Sequence, residues 1–423
     1  MATLDPVLTE TMAIPPPEPP RPPAAGPGDW VRRNLFRSPA DTVVTVVSGL
    51  VVGYVAYRLL RFVFVTGRWE IVRVNLKLFM VGRYPTDELW RIAVALVAIA
   101  LYAGLVAGLV AHRQAVAGTA PPPVPFWHRV TELTVRLWPL LVGVLLLLAL
   151  STSAGPWFIT LGVIVAGVVG RLVGVWLPRG AIAWLVLAGI AGAFVLVWFL
   201  ARPIGWDDWS GMMLNFFLAV AGIALCFPLG VLLALGRRSK LPLIRAVSVA
   251  YIELFRGVPL YVLLLMSAIA LGFFLPTWVD NPPGLVVRAI VVFTLFTAAY
   301  VAEIVRGGLQ SLPRGQTEAA QSLGLSPVRT TFLVVLPQAL RNVIPALVGQ
   351  FISLFKDTTL AGAAMGLLDV LQVARAVPAQ PEFRGQGLTA ETLSFVMLLF
   401  WVGCITMSRE SQRLERKLGV GLR

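Results

Sequence analysis

Few residues of this 423-residue chain are placed for bond-breaking chemistry. Cys226 and Cys404 lie far apart inside apolar runs with no Cys or His at ligand spacing nearby, so they read as small buried apolar residues rather than metal ligands. His112 and His128 flank a Pro-rich loop and take no role. The only lysines are Lys77, Lys240, Lys356 and Lys417, and none stands in a Gly-Lys-Ser or Gly-Lys-Thr phosphate loop. The chain carries instead a spacing suited to mechanical contact: Glu318-Ala319-Ala320, then Gly324, Val334 and Leu336-Pro337, in a polar, basic stretch between two long apolar runs. Small Ala319 and Ala320 beside a carboxylate make about two helical turns. Gly324 then permits a tight change of direction where a Cβ would clash. A second short helix from Pro327 is expected to run to Leu336, with Pro337 disfavouring its continuation. Two short helices joined at Gly324 form a rigid peg for a groove on a partner, with Arg314, Arg329 and Arg341 facing an acidic rim. An amphipathic loop lying on the headgroups is the plainer reading.

Three further groups of charge stand within or beside apolar runs, where charge is costly and faces a cavity or a partner. Lys356-Asp357 is expected about 20 Å along a helix that starts near Val343, at about 1.5 Å per residue. Lys356 could take a carboxylate and Asp357 or Thr358 an ammonium group, or the two charges could tie adjacent helices; both readings stay open. Glu303, with Tyr300 one turn away on the same face, could hold an ammonium group, but pairing with Arg306 is the simpler role. Glu253 and Arg256 are spaced to pair, and Gly257 and Pro259 allow a bend, as a gate hinge or, preferably, as a helix start.

The elements that must position these residues follow from composition. With 57% hydrophobic residues, 13% charged and a mean hydropathy of +0.81, the chain cannot hide its apolar surface in one water-soluble core. Its formal charge of +14 lies in short loops rather than along one stripe, which points to membrane topology and excludes nucleic acid as the partner. A helical crossing needs about 20 apolar residues, and ten runs qualify: 41–65, 90–111, 137–150, 157–177, 182–200, 214–235, 258–275, 285–305, 343–365 and 393–407. The third and tenth are short, so nine crossings also fit. The runs lack the alternation of barrel strands, and the fold class is therefore an all-α polytopic membrane protein.

Residues 1–38 are expected as a disordered, Pro-rich cytoplasmic tail without a secretory signal, 39–203 as about five accessory helices, 204–410 as a five-helix core with short helices over about 312–340, and 411–423 as a basic tail. With both termini inside, Arg113, Arg129, Arg136, Arg179, Arg237, Arg238, Lys240, Arg245 and the 306–341 stretch fall inside, and Asp207, Asp208 and Asp280 outside. Residues 67–88 break the rule, being external yet carrying Arg68, Arg73, Lys77 and Arg83. Gly162, Gly167, Gly170 and Gly174 are spaced for close helix packing. No internal repeat is evident, which weighs against a transporter built of two homologous halves.

The Glu318 to Pro337 pattern resembles the coupling signature of bacterial ABC importer permeases, with Val334 in place of the more usual Ile. Tyr251-Ile252-Glu253-Leu254-Phe255-Arg256-Gly257-Val258-Pro259-Leu260, Ala299-Tyr300-Val301-Ala302-Glu303-Ile304-Val305-Arg306-Gly307-Gly308 and Lys356-Asp357-Thr358-Thr359-Leu360 are similar to the polar amino-acid branch of that family. The resemblance spans roughly residues 209–419. Val74-Asn75-Leu76, Val81-Gly82-Arg83-Tyr84-Pro85 and Asp87-Glu88-Leu89-Trp90-Arg91 resemble the longer permease subunit of general L-amino-acid importers, which carries extra helices before a shared five-helix core.

The resemblance implies a non-catalytic subunit of the bacterial inner membrane that moves L-amino acids by alternating access. It also implies Glu318, Ala319, Ala320, Gly324, Leu336 and Pro337 as the ATPase-coupling residues. The chain itself would bind no cofactor and no metal. Its partners would be a pair of cytoplasmic ATPases using ATP and Mg, a second permease subunit and a periplasmic amino-acid-binding protein, in contact with membrane lipid. An ion-coupled secondary transporter is the alternative; it would not need the peg. A membrane-embedded enzyme would need a catalytic cluster that the crossings lack.

Overall fold

The computed structural model describes residues 26–118, 125–178, 180–205, 208–271 and 283–419. Most of the expected Pro-rich tail, and Arg179, Asp207, Asp280 and Arg423, lie outside these residues. The described part forms helices, with one isolated bridge between Gly211 and Asp369. Nine helices are long and apolar enough to cross a membrane among the described residues, or ten if one bent pair counts as a span.

The chain divides into two compact units at Gly67, whereas composition places the change near Ile204. The first unit contains α1 (Pro27–Leu35) and α2 (Pro39–Arg61), so part of the stretch expected as a tail is helical. Ser38 caps α2 by accepting from the backbone N–H of Asp41. A π-helical turn (Phe62–Thr66) extends α2 into an apolar span of 28 residues with none buried, as suits a helix facing lipid on all sides.

The second unit begins with α3 (Glu70–Val74) and α4 (Leu76–Val81). This is the segment whose charge breaks the topology rule. It is folded into the body: Ile71, Val72, Phe79 and Tyr84 are fully buried, and Phe79 packs edge-on against Phe395 at 5.2 Å. Four spans follow, α5 (Leu89–Val116), α6 (Phe126–Leu150), α7 (Gly155–Val175) and α8 (Ala181–Ala201). The glycines of α5 and α7 meet as their spacing predicts. A Cβ on Gly170 or Gly174 would stand 2.2 or 2.3 Å from the carbonyl oxygens of Leu101 or Leu105, and one on Gly104 2.3 Å from that of Gly167. Backbones can come this close only without side chains between them.

The remaining helices are α9 (Gly211–Arg237), α10 (Pro242–Gly257), α11 (Leu260–Ile269), α12 (Leu285–Gln310), α13 (Arg314–Ser322), α14 (Pro327–Thr330), α15 (Leu336–Asp357), α16 (Thr359–Met365), α17 (Val370–Ala376) and α18 (Thr389–Leu418). α12 is the axis of the core, with Ala298, Ala299, Val301, Ala302 and Val305 fully buried. Gly230 of α9 lies against Val301, and Gly308 against Ala339 of α15. The third and tenth runs, short by composition, sit in helices of 25 and 30 residues because polar residues extend both. The helix α18 therefore continues to Leu418, through most of what composition marks as a basic tail.

Candidate coupling site and charged helix ends

α12 ends at Gln310, and after Ser311 and Leu312 the N-cap Pro313 leads into α13. The turn after α13 closes by two reciprocal bonds, Leu325 N–H to Ala320 C=O (3.2 Å) and Gly324 N–H to Gln321 C=O (2.9 Å), with Gly324 at φ +80°. This is a Schellman turn, which needs a left-handed residue at that position. The sequence-based reason for glycine is half right: no atom lies within 4 Å of where a Cβ would be, so backbone conformation alone requires it.

Ser326 then caps α14, accepting from the N–H of Arg329. The expected second short helix is not separate. α14 passes through a π-helical turn (Thr331–Val335) into α15, giving one span from Pro327 to Asp357. Pro337 does not break it: the proline follows directly on the π-helical turn, in the first turn of α15.

The peg has a buried and an open face. Ala320, Thr330 and Leu336 are buried, and Gln338 Nε2 of α15 donates to Gln316 Oε1 of α13 (3.3 Å), fixing the two arms together. Glu318 and Ala319 are exposed. So are Leu323 (84%), Val328 (67%), Phe332 (51%) and Leu333 (67%), which is an apolar surface on an otherwise polar loop. Arg314, Arg329 and Arg341 are exposed around it, and Arg341 also donates to the carbonyl of Leu418 at the end of α18.

On the same end of the bundle, Glu303 of α12 is gripped by three arginines from three helices. Arg237 of α9 reaches it at 2.6 Å, Arg306 of α12 at 2.9 Å and Arg256 of α10 at 3.8 Å. The expected pairing with Arg306 is present. The expected pairing of Glu253 with Arg256 is not, because Glu253 turns to Arg237 at 3.2 Å. Tyr300 shares the face of Glu303 and lies 5.7 Å under the Arg256 guanidinium. Gly257-Val258-Pro259 is both a helix end and a start: α10 and α11 meet there at 97°. Sequence reasoning missed α10 as an amphipathic helix, although the period of Leu243, Val247 and Leu254 could have shown it.

Lys356 and Asp357 occupy the last turn of α15, because the helix ends at Asp357 rather than running on to Met365. Lys356 is exposed and Asp357 half-buried, and among the described residues they form no ion pair within 4.0 Å. The Thr358 hydroxyl is fully buried; it donates to Phe355 C=O (2.7 Å) and accepts from Asn215 Nδ2 (3.0 Å). Asn215 Oδ1 in turn accepts from Val370 N–H (3.0 Å). Beside it Asp369, also fully buried, caps α17 by accepting from Gln372 N–H at 2.8 Å. Burial pushes the Asp369 carboxyl up to about 6, against the opposing pull of the Gln372 N–H. This polar node escaped the sequence reading; Asp369 and Gln372 at capping-box spacing were its one local sign.

Since Asn215 begins α9 and Arg237 ends it, Thr358 and Glu303 lie about 30 Å apart at about 1.5 Å per residue. Lys356, Asp357 and Thr358 therefore do not share a site with Glu303 and Tyr300.

Apolar crossings around a packed central helix, with a structured polar loop at one end, define a polytopic membrane protein. Residues 226–418 match the family described as binding-protein-dependent transport system inner membrane component. The glutamate/glutamine/aspartate/asparagine transport system permease protein BztC of Rhodobacter capsulatus is 35% identical over 92% of this chain and 93% of its own length. The inner membrane amino-acid ABC transporter permease protein YhdY of Escherichia coli is 33% identical over 93% of both chains. BztB, a second permease protein of the Rhodobacter system, is 42% identical over 28% of this chain and 27% of its own. This chain belongs to the family of ABC importer permeases, and it does so over nearly its whole length rather than through the core alone.

Proposed function

We propose that this chain is one of two permease subunits of an ATP-driven importer for L-amino acids, moved by separate ATPases that grip the peg of α13 and α14. The observation that supports it most is the peg itself. Its arms are locked to each other by the Schellman turn and by Gln338 to Gln316, while Leu323, Val328, Phe332 and Leu333 stand open. A rigid apolar knob at the end of a central span transmits a push; a loop lying passively on headgroups would gain nothing from such bracing.

In this reading the peg end is cytoplasmic. Arg341 joins it to the end of α18, and Glu132 and Arg136 at the start of α6 pair there with Arg413 and Glu410, so the carboxyl terminus is on that side too. The ATPases hydrolyse ATP with Mg. A second permease, as BztB is to BztC, completes the pathway, and a periplasmic binding protein delivers substrate. Lys356 takes the substrate carboxylate and Asp357 its ammonium, at the end of the bundle opposite the peg. Glu303 and Tyr300 stay with the arginine cluster, outside the substrate pathway.

The test is uptake of labelled glutamate, glutamine, aspartate and asparagine by vesicles holding the co-expressed system. Gly324→Val abolishes ATP-dependent uptake while the subunits still assemble, and Lys356→Ala raises the substrate concentration needed without loss of assembly. Uptake by Gly324→Val equal to the parent rules out the peg.

A further inference from the structure

The arginines around Glu303 do more than neutralise it. A cavity of about 520 Å³ opens beside them, lined by Arg237, Arg238 and Ser239 at the end of α9, Arg245 and Val249 of α10, and Arg306 with Gln310 of α12. Four of its seven lining residues are arginines and none is acidic. Glu303 and Glu253 sit behind the wall and are already shared by Arg237, Arg256 and Arg306. Arg238 spends one N–H on the carbonyl of Leu309 at 3.3 Å, and Arg245 makes no side-chain bond among the described residues. Guanidinium forks converging on a cavity that no carboxylate lines favour an anion, and a phosphate matches their geometry in pairs.

The position says which phosphate. The cavity lies at the ends of the apolar spans α9 and α12, where a bilayer's headgroups begin. Directly beside it α10 exposes Leu243 (75%), Ile244 (46%) and Val247 (60%), following Leu241 (60%). An apolar strip next to a basic cavity fits a molecule with acyl chains and an anionic head. We infer that the cavity between the ends of α9, α10 and α12 is a binding site for the phosphate of an anionic phospholipid, with Arg238 and Arg245 as its principal ligands. The inference needs the chain to sit in a membrane and does not depend on the peg or on the transported solute.

The experiment uses the full chain, purified with the subunits that accompany it, in nanodiscs of phosphatidylcholine with a minor share of phosphatidylglycerol. Phosphatidylglycerol retained per chain after transfer to detergent is read by mass spectrometry. The parent retains it, and Arg238→Gln with Arg245→Gln lowers its retention about tenfold or more. Neither residue touches Glu303, and co-purification of the subunits in unchanged yield checks that the variant folds. The paired Arg→Lys variant, which keeps charge and loses the fork, retains an intermediate amount. Arg32→Gln with Arg33→Gln removes equal charge elsewhere and leaves retention unchanged. Saturable binding of inorganic phosphate, with no lipid retained, would assign the same anion chemistry to a soluble ligand and overturn the lipid. Equal retention by the parent and the Gln variant, or loss only of an accompanying protein subunit, would overturn the site.

Discussion

Asp369 is a carboxyl outside the membrane spans whose chemistry departs well from its usual range. Its Oδ1 is satisfied by Gln372, while its Oδ2 has no hydrogen-bond partner, so ionisation places a poorly solvated charge beside Asn215 and Thr358. Burial lifts the carboxyl from 3.8 to about 6, so the folded protein holds this proton more tightly than the unfolded chain. The contribution to stability is thus fully present below about pH 4 and is lost as pH rises through about 6, at roughly 3 kcal/mol in all. Thermal unfolding at about pH 4 and about pH 7 should show that slope in the parent and a shallower one in Asp369→Asn, which keeps an N-cap acceptor. An unchanged slope would mean that the carboxylate is solvated.

Glu303 is the common acceptor of three cations. Glu303→Gln leaves Arg237, Arg256 and Arg306 facing one another, and a loss of ~2 kcal/mol in stability is expected. Loss of stability with normal apparent substrate affinity would mark the residue as structural. A shift in affinity with normal stability would return it to the substrate pathway.

At the scale of elements, the turn at Gly324 and the α5–α7 contact make different demands on glycine. Gly324→Val meets no neighbour, so its penalty is the left-handed backbone, about 1–2 kcal/mol, and Gly324→Asn should recover much of the lost uptake. Gly170→Leu has the reverse cause. Its φ is ordinary, but its side chain would enter the α5 backbone, and a destabilisation of about 1–3 kcal/mol follows, read as a lowered unfolding temperature. A Gly170→Leu protein as stable as the parent would show that α5 and α7 do not touch there.

The same two elements show what a sequence can disclose. Local spacing carried the Gly324 turn, the helix start at Pro327 and the glycine rows, because each depends on residues a few positions apart. The bracing of Glu303 by Arg237 and Arg256 depends on three helices meeting, and nothing in the spacing of Glu253 and Arg256 could show that Arg237 would take the first partner and Glu303 the second. The π-helical turn over Thr331–Val335 likewise hid the continuity of α14 with α15, since Pro337 looks like a break until its place in a first turn is known.

For the molecule as a whole, hydropathy disclosed nine or ten crossings, but not that residues 68–88 fold into the core. Their charges read as loop, whereas Ile71, Val72 and Phe79 point inward while Lys77 bonds outward to Thr86. Within the second unit, α6 is also fastened to α18 of the core, through Arg136 with Glu410, Glu132 with Arg413 (3.0 Å) and Gly143 against Val402. It is a built part of that unit rather than a loose addition.

The central claim is that this body is driven from outside itself. Its most direct test is amino-acid uptake into proteoliposomes holding the chain with its co-purified subunits, with and without ATP, beside proteoliposomes holding the chain alone. Uptake that requires ATP and is absent from the chain alone is the predicted result; transport by the chain alone, driven by an ion gradient, would contradict it.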